Sequence, residues 1–461
     1  MADAVIEFPS ALARQRPASA ADKRLVAALS HLREGWRREG GIAIDRRAEV
    51  LDRLAGTLRH YEASLTEAMA ADFGHPPGHV RPDAGIRPSH EAIRNLARLC
   101  RRRARHWLPR GGMEWEPLGV VAIITSRNDP VQRALVPVAA AIAAGNRVLL
   151  KPSEQAPRTA ILLERLLAET FTPSEMAVAG GGADTAQAIC QTAVDHVHFT
   201  GWAGNGRQVM RAAADNPASV TLELGGKNPV IVTPGYPLAL AAAQIAAAKL
   251  ADAGQTGAAP DHVLLPAGSE LDFINHFEKA TISLYPSLRR SNYSAIVTDK
   301  HYQDLLGMID DARRWGARAY AIHPGGEGPE PGSRKLAPTL LWPVMEEAEV
   351  MSREVHGPLL PLLSYGALDE AVAMVNGRPR PPALYLFSRH EPDVGFVLDR
   401  VRAGSIMVNG TQWRDAQGNP VCAGIAAYHG EPGIRRFSQP RMIYRRGPLD
   451  GLARLWRRLV R

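Results

Sequence analysis

The residues of this chain whose types could do chemistry are three cysteines, two closely spaced histidines, a few glycines and one loop. Cys100, Cys190 and Cys422 are odd in number and lack a zinc-type spacing, so neither a disulfide framework nor a structural zinc follows. His196 and His198 are one residue apart in a strand-like run and point to one face, as two metal ligands would. No third ligand in a suitable context accompanies them, so no metal is expected. Gly201, Gly204 and Gly206 do not spell the G-x-G-x-x-G of a dinucleotide loop. The loop is Gly254-Gln255-Thr256-Gly257-Ala258-Ala259-Pro260-Asp261, between an alanine-rich helical segment and the apolar run His262 to Pro266. Its one hydroxyl, on Thr256, is a poor nucleophile without a paired base.

The elements that must position these residues alternate. Up to about residue 110 apolar residues recur at helical spacing over Ala21–Arg38, Asp45–Ala71 and Glu91–Trp107, with Gly40-Gly41 and Pro76-Pro77-Gly78 as breakers. Then short β-branched runs appear at Leu118–Thr125, Arg147–Lys151, Met176–Val178, His196–Phe199 and Val220–Leu224. Helical stretches separate them at Pro130–Ala144, Pro157–Glu169, Thr185–Thr192 and Gly206–Asp215. This rhythm predicts a doubly wound, mostly parallel sheet. A second α/β block starts near Asn228, with helices at Leu238–Asp252, Leu271–Leu284 and Lys300–Arg314 and strands at Thr339–Trp342 and Leu359–Leu363.

An apolar fraction of 45% over 461 residues is enough for two or three domains with large cores. The formal charge of +8 gathers partly in Arg101-Arg102-Arg103-Ala104-Arg105 and in the tail from Arg454 to Arg461. Without an aromatic-interleaved platform or a nucleic-acid motif these runs read as solvated helix faces, and the tail as a helix docking on its own protein. The start of the chain has no signal-type pattern, and Leu238 to Ala251 is interrupted by Gln244 and Lys249, so a membrane span is not expected. A cytoplasmic location is the expectation.

Several motifs, in order, resemble the aldehyde dehydrogenase superfamily and its coniferyl-aldehyde-dehydrogenase-like branch. They are Pro117-Leu118-Gly119-Val120-Val121, Asn128-Asp129-Pro130, Gly145-Asn146-Arg147-Val148, Lys151-Pro152-Ser153-Glu154, Phe199-Thr200-Gly201 and Leu222-Glu223-Leu224-Gly225-Gly226-Lys227-Asn228-Pro229. Later come Gly254 to Asp261, Glu354-Val355-His356-Gly357-Pro358, Asp369-Glu370-Ala371, Asn376-Gly377-Arg378-Pro379-Arg380-Pro381 and Tyr428-His429-Gly430. The resemblance implies an N-terminal helical and Rossmann-type domain over residues 1–227, a second, catalytic-type α/β domain over 228–412, and a returning, oligomerisation segment over 413–461. It further implies a homo-oligomer, or a hetero-oligomer with a paralogue.

Oxidising an aldehyde with a nicotinamide needs a nucleophile, donors for the oxyanion, a hydride acceptor and a base for hydrolytic water. By resemblance Asn128 supplies the oxyanion amide, Glu223 the general base, and position 257 the thiolate. Lys151 and Glu154 resemble the pair reaching the adenosine ribose, Ser153, Gly201 and Gly206 accompany them on the cofactor face, and Glu354 resembles the carboxylate on the nicotinamide ribose. A carboxylate near the 2′-hydroxyl favours NAD over NADP.

The departures gather at the same place. Gly257 has no side chain where the family carries its cysteine, so no covalent adduct can form there. Cys422, in a loop that borders the family's active site, is a candidate substitute thiol. Trp202 stands where a small hydroxyl residue is usual, His356 where a phenylalanine flanks the nicotinamide, and Arg127 and Asp129 where aromatics are common. The expectation is an impaired member of the family; the alternative is a non-catalytic nucleotide- or ligand-binding regulatory subunit.

Overall fold

The structure is a computed structural model and describes residues 20–73, 85–105, 112–289 apart from 215 and 217, 292–411 apart from 327 and 329, and 430–444. Cys422, Tyr428, His429 and the basic tail lie outside the described residues. The first strand, β1 (Gly112–Pro117), pairs antiparallel with the last described one, Ser438–Ile443. The chain then enters a parallel sheet of β2 (Val120–Ile124), β3 (Arg147–Lys151), β4 (Met176–Val178), β5 (His196–Gly201) and β6 (Ser219–Leu224), in the order β4-β3-β2-β5-β6. β2 and β3 are buried throughout, as expected of strands covered by helices on both faces. From β2 the chain winds to one side and then returns to the other, so a crevice opens at the carboxyl ends of β2 and β5.

A second sheet is built from β7 (Pro229–Val232), β8 (His262–Pro266), β9 (Arg318–Ala321), β10 (Thr339–Trp342), β11 (Leu359–Tyr365), β12 (Ala383–Phe387) and β13 (Ser405–Val408). Its order is β13-β12-β7-β8-β11-β10-β9, parallel except for the antiparallel edge strand β9. The fold is therefore the expected α/β arrangement with two sheets, the second of them mixed. The loop before β8 and the segment before β11 bring Gly257 and Glu354 to the amino ends of this sheet, where they meet residues from the carboxyl ends of the first.

Helix Pro130–Ala144 is the centre of the first core. It is buried on every side, so its apolar stretch shows no polar face. Pro130 opens it, and Gly145, at φ 103°, closes it by donating to Ala141 O and Ile142 O. Two expected helices are corrected. The Asp45–Ala71 run is two helices, Ile44–His60 and Glu62–Asp72, because Tyr61 takes ψ 0° and its hydroxyl donates to Glu169 Oε1 at 2.6 Å. Helix Leu238–Leu250 stops before Asp252, since Asp252, Ala253 and Gly254 all turn left-handed, at φ 48°, 50° and 77°.

Candidate active site

The carboxyl ends of the first sheet line one cavity of about 930 Å³. Asn128 follows β2, Lys151 ends β3 with Ser153 and Glu154 just beyond, Gly201 ends β5, and Glu223 is the penultimate residue of β6, opposite Thr200. All of these line the cavity. The Lys151 ammonium, nearly fully buried, donates to the Glu154 carboxylate. Burial opposes ionisation of Glu154, but Lys151 and a backbone N–H outweigh it and hold the carboxyl below its usual range. Gly206 is not on the cavity wall: a Cβ there would lie 2.6 Å from the Leu224 side chain, so the residue lets helix Ala203–Ala213 approach β6.

The opposite wall carries the loop Gly254–Asp261, whose buried side is densely bonded. Gln255, 1% exposed, donates from Nε2 to Asp252 O and Ala295 O, at 3.0 and 3.1 Å. Its Oε1 accepts from Val297 N at 3.0 Å and from Arg127 Nη2 at 2.9 Å. Asn228 Nδ2 donates to Gly257 O and Ala259 O, each at 3.0 Å, and the Tyr385 hydroxyl to Ala258 O. Gly254 is needed at its own position, since a Cβ there would collide with the Gly357 carbonyl.

Below the loop, Asp261 binds the Lys227 ammonium and accepts from Val355 N at 2.9 Å. Lys227 also donates to Val350 O at 2.7 Å and Arg353 O at 3.0 Å, which fixes the backbone on either side of Glu354. Burial opposes the Asp261 charge, yet Lys227 and His262 hold the carboxyl far below its usual value. Burial also pushes the Lys249 ammonium down to about 8, against the pull of Asp261.

The cavity face of the loop is different. Gly257 lines it without a side chain, and a Cβ built there would meet only Arg133 Nη2, at 3.3 Å. Arg133 stands 3.9 Å from Glu223 Oε2. Sequence reasoning missed Arg133; its signal was a charge inside an otherwise uncharged apolar helix. Asn128 Nδ2 lies 3.2 Å from His356 Nε2, whose other nitrogen is 3.6 Å from Glu354 Oε1. One amide N–H of Asn128 is thus directed at the imidazole. His356 takes φ 46°, a strained backbone for a histidine. Its ring stands edge-on to Trp202, with centroids 6.4 Å apart, and 5.9 Å from that of His301, all three lining the cavity.

Arg127 is buried, bonded to Gln255 and stacked over Phe73, and burial lowers its guanidinium to about 10. Near it, burial raises the Asp252 carboxyl to about 6 in spite of the arginine's charge. His196 and His198 are not in the cavity wall. His196 Nδ1 is 2.7 Å from Ser219 Oγ, both rings pack against Phe437, and burial brings them down to about 4 and about 3. Among the described residues no group of three or more His, Cys, Asp or Glu is placed to hold a metal, and no helix is long and apolar enough to cross a membrane. Arg101 and Arg103 are paired with Asp52 and Glu431.

A parallel sheet with a lysine–glutamate pair at one strand end faces a buttressed loop of a second, mixed sheet across a large cavity, an α/β architecture of two sheets around a cleft. The chain belongs to the aldehyde dehydrogenase family, whose model matches residues 11–427. It is 36% identical over 426 residues to a probable coniferyl aldehyde dehydrogenase of Caulobacter vibrioides, covering 88% of each chain. The fold is similar to that of a substrate-bound AldH from Staphylococcus aureus, with TM-score 0.82, 28% identity, and coverage of 95% of this chain and 99% of that one. It also resembles a Mycobacterium tuberculosis aldehyde dehydrogenase complexed with NAD+, at TM-score 0.81 and 23% identity, covering 94% and 92% of the two chains.

Proposed function

We propose that this protein is a coniferyl-type, NAD(P)-binding member of the aldehyde dehydrogenase family that has lost most of its capacity to oxidise aromatic aldehydes to acids. The observation that carries this reading is Gly257: the loop around it is buttressed and lines the same cavity as Glu223, but Gly257 itself has no side-chain atom that could attack a carbonyl. Glu223 and Asn128 would be general base and oxyanion donor, and both line the same cavity. Losing the nucleophile removes several orders of magnitude of rate, by analogy with knocked-out hydrolase triads.

The cofactor groove suits a dinucleotide by its donor set. Lys151 and Glu154 would take the adenosine ribose hydroxyls, with Ser153 and Gly201 beside them. The N-terminus of helix Ala203–Ala213, which has no side-chain cap, would face the pyrophosphate, and Glu354 the nicotinamide ribose. A bound nicotinamide would supply the hydride acceptor. Trp202, 42% exposed at the start of that helix, narrows the pyrophosphate path. NAD is favoured over NADP by the Glu154 carboxylate. Calorimetric titration tests this: saturable NAD binding that Lys151→Ala weakens at least tenfold is expected, and absence of binding by either nucleotide would remove the cofactor from the account.

A second reading is favoured by the same Gly257: a non-catalytic nucleotide- or ligand-binding subunit that assembles with an active paralogue. In either reading the protein is an oligomer in the cytoplasm. Co-purification and light scattering with such a paralogue distinguish a mixed oligomer from a self-assembled one.

A further inference from the structure

Helix Pro130–Ala144 is buried along almost its whole length, and Arg133, in its first turn, is its single charged side chain. A cation there opposes the positive end of the helix dipole, so another group must offset the charge. Glu223 is placed to do so: Arg133 Nη1 lies 3.9 Å from Glu223 Oε2, with the two side chains only 15% and 4% exposed. On its other side the guanidinium faces Gly257, where a Cβ would lie 3.3 Å from Nη2 with no other neighbour within contact range. A side chain at position 257 and the head of Arg133 therefore compete for one volume, between the carboxylate and the loop.

We propose that Arg133 and Gly257 are a coupled pair: the guanidinium borders the seat from which a residue at 257 would act and faces the Glu223 carboxylate. A nucleophile restored at 257 alone then meets a cation and a carboxylate already engaged. This rests on the reading of position 257 as the nucleophile's seat. A thiol placed there ionises more readily beside the guanidinium and gains more in thiolate than it loses in intrinsic nucleophilicity, so the obstruction by Arg133 is steric: its head occupies space the attacking atom needs. Arg133 thus acts through its neighbours, as a positioning and blocking residue.

The test compares Gly257→Cys with Gly257→Cys/Arg133→Leu. The pH dependence of iodoacetamide alkylation at position 257, followed by peptide mass spectrometry, gives the thiol pKa in each. The expected result is a thiol about one unit or more lower in the single variant, a roughly tenfold larger thiolate fraction below both values. Adding Arg133→Lys in place of Arg133→Leu keeps that lowering. With NAD and cinnamaldehyde, the double variant is expected to form NADH at least tenfold faster than the single one. Equal thiol pKa values, or turnover that is measurable and equal in the two variants, would overturn the coupling. A lowered thiol pKa with turnover in neither variant would uphold the contact while refuting position 257 as the nucleophile's seat. Should Arg133→Leu fail to fold, Arg133→Gln removes the charge and carries the same comparison.

Discussion

The two sides of the loop Gly254–Asp261 follow opposite rules. On the buried side every side-chain polar group of Gln255 and Asn228 finds a partner, and Asp261 is tied to Lys227 and to the backbone at Val355. On the cavity side Gly257 offers no side chain, an arginine faces it, and a histidine is directed at the Asn128 amide. The contrast teaches that architecture and chemistry have separated here. Unmade hydrogen bonds under the loop would each cost the fold its desolvation penalty, whereas the cavity face contributes little to stability and is free to change.

The largest expected effect comes from the buried side. Asp261→Ala strands the Lys227 ammonium, only 11% exposed, without its counter-charge. Breaking such a pair costs about 3–5 kcal/mol, readable as a lower urea midpoint. A loss under about 1 kcal/mol would show that the underside of the loop is not the structural half.

A somewhat smaller effect follows from pH. His262, 1% exposed, is lowered to about 4, chiefly by burial and further by Lys227 and Arg378, with Asp261 opposing. Its folded value lies below its unfolded value, so the stability it contributes is complete above the unfolded value. That stability is lost as pH falls from about 6.5 through about 4, an effect of about 3 kcal/mol. Asp261, also depressed, adds to the loss only below the ordinary carboxylate range. Urea midpoints between pH 7 and 4 should fall steadily in the parent protein and less steeply in His262→Phe; parallel curves would contradict the assignment.

The smallest effect belongs to the cavity side. Gly257 is not among the left-handed residues, and the atom a Cβ would meet is the far end of a flexible side chain. Gly257→Ala should shift stability by no more than about 0.5 kcal/mol, partly because alanine restricts the unfolded chain. A loss above about 2 kcal/mol would mean that the glycine is kept for the backbone, and would erase the contrast between the two sides.

Much of this was legible in the residue pattern, for reasons that also explain the gaps. Helix Pro130–Ala144 and strands Arg147–Lys151 and Met176–Val178 stood out because Pro, Gly-Asn and short apolar runs punctuate them locally. The pairing of β1 with Ser438–Ile443 did not, since those strands are largely polar and meet across most of the chain. The left-handed stop at Asp252 was hidden because Ala253, a strong helix former, sits inside it and carries the alanine-rich helical pattern up to Gly254. The motif order placed Asn128, Glu223, Gly257 and Glu354 in one cavity, but their present partners arise from tertiary contacts. The Asn128–His356 approach joins two loops of different sheets, and Arg133, though it stands out as the one charge in an apolar helix, does not reveal in sequence which carboxylate it faces.

The central claim is that the loop is intact and its reactive face is not. The most direct measurement is nicotinamide reduction by the purified protein with NAD or NADP and coniferyl aldehyde, followed by absorbance in parallel with Cys422→Ala. The account predicts nucleotide binding without detectable turnover in either protein. Sustained turnover by the parent would contradict it, and its disappearance in Cys422→Ala would identify the thiol that took the place of the missing one.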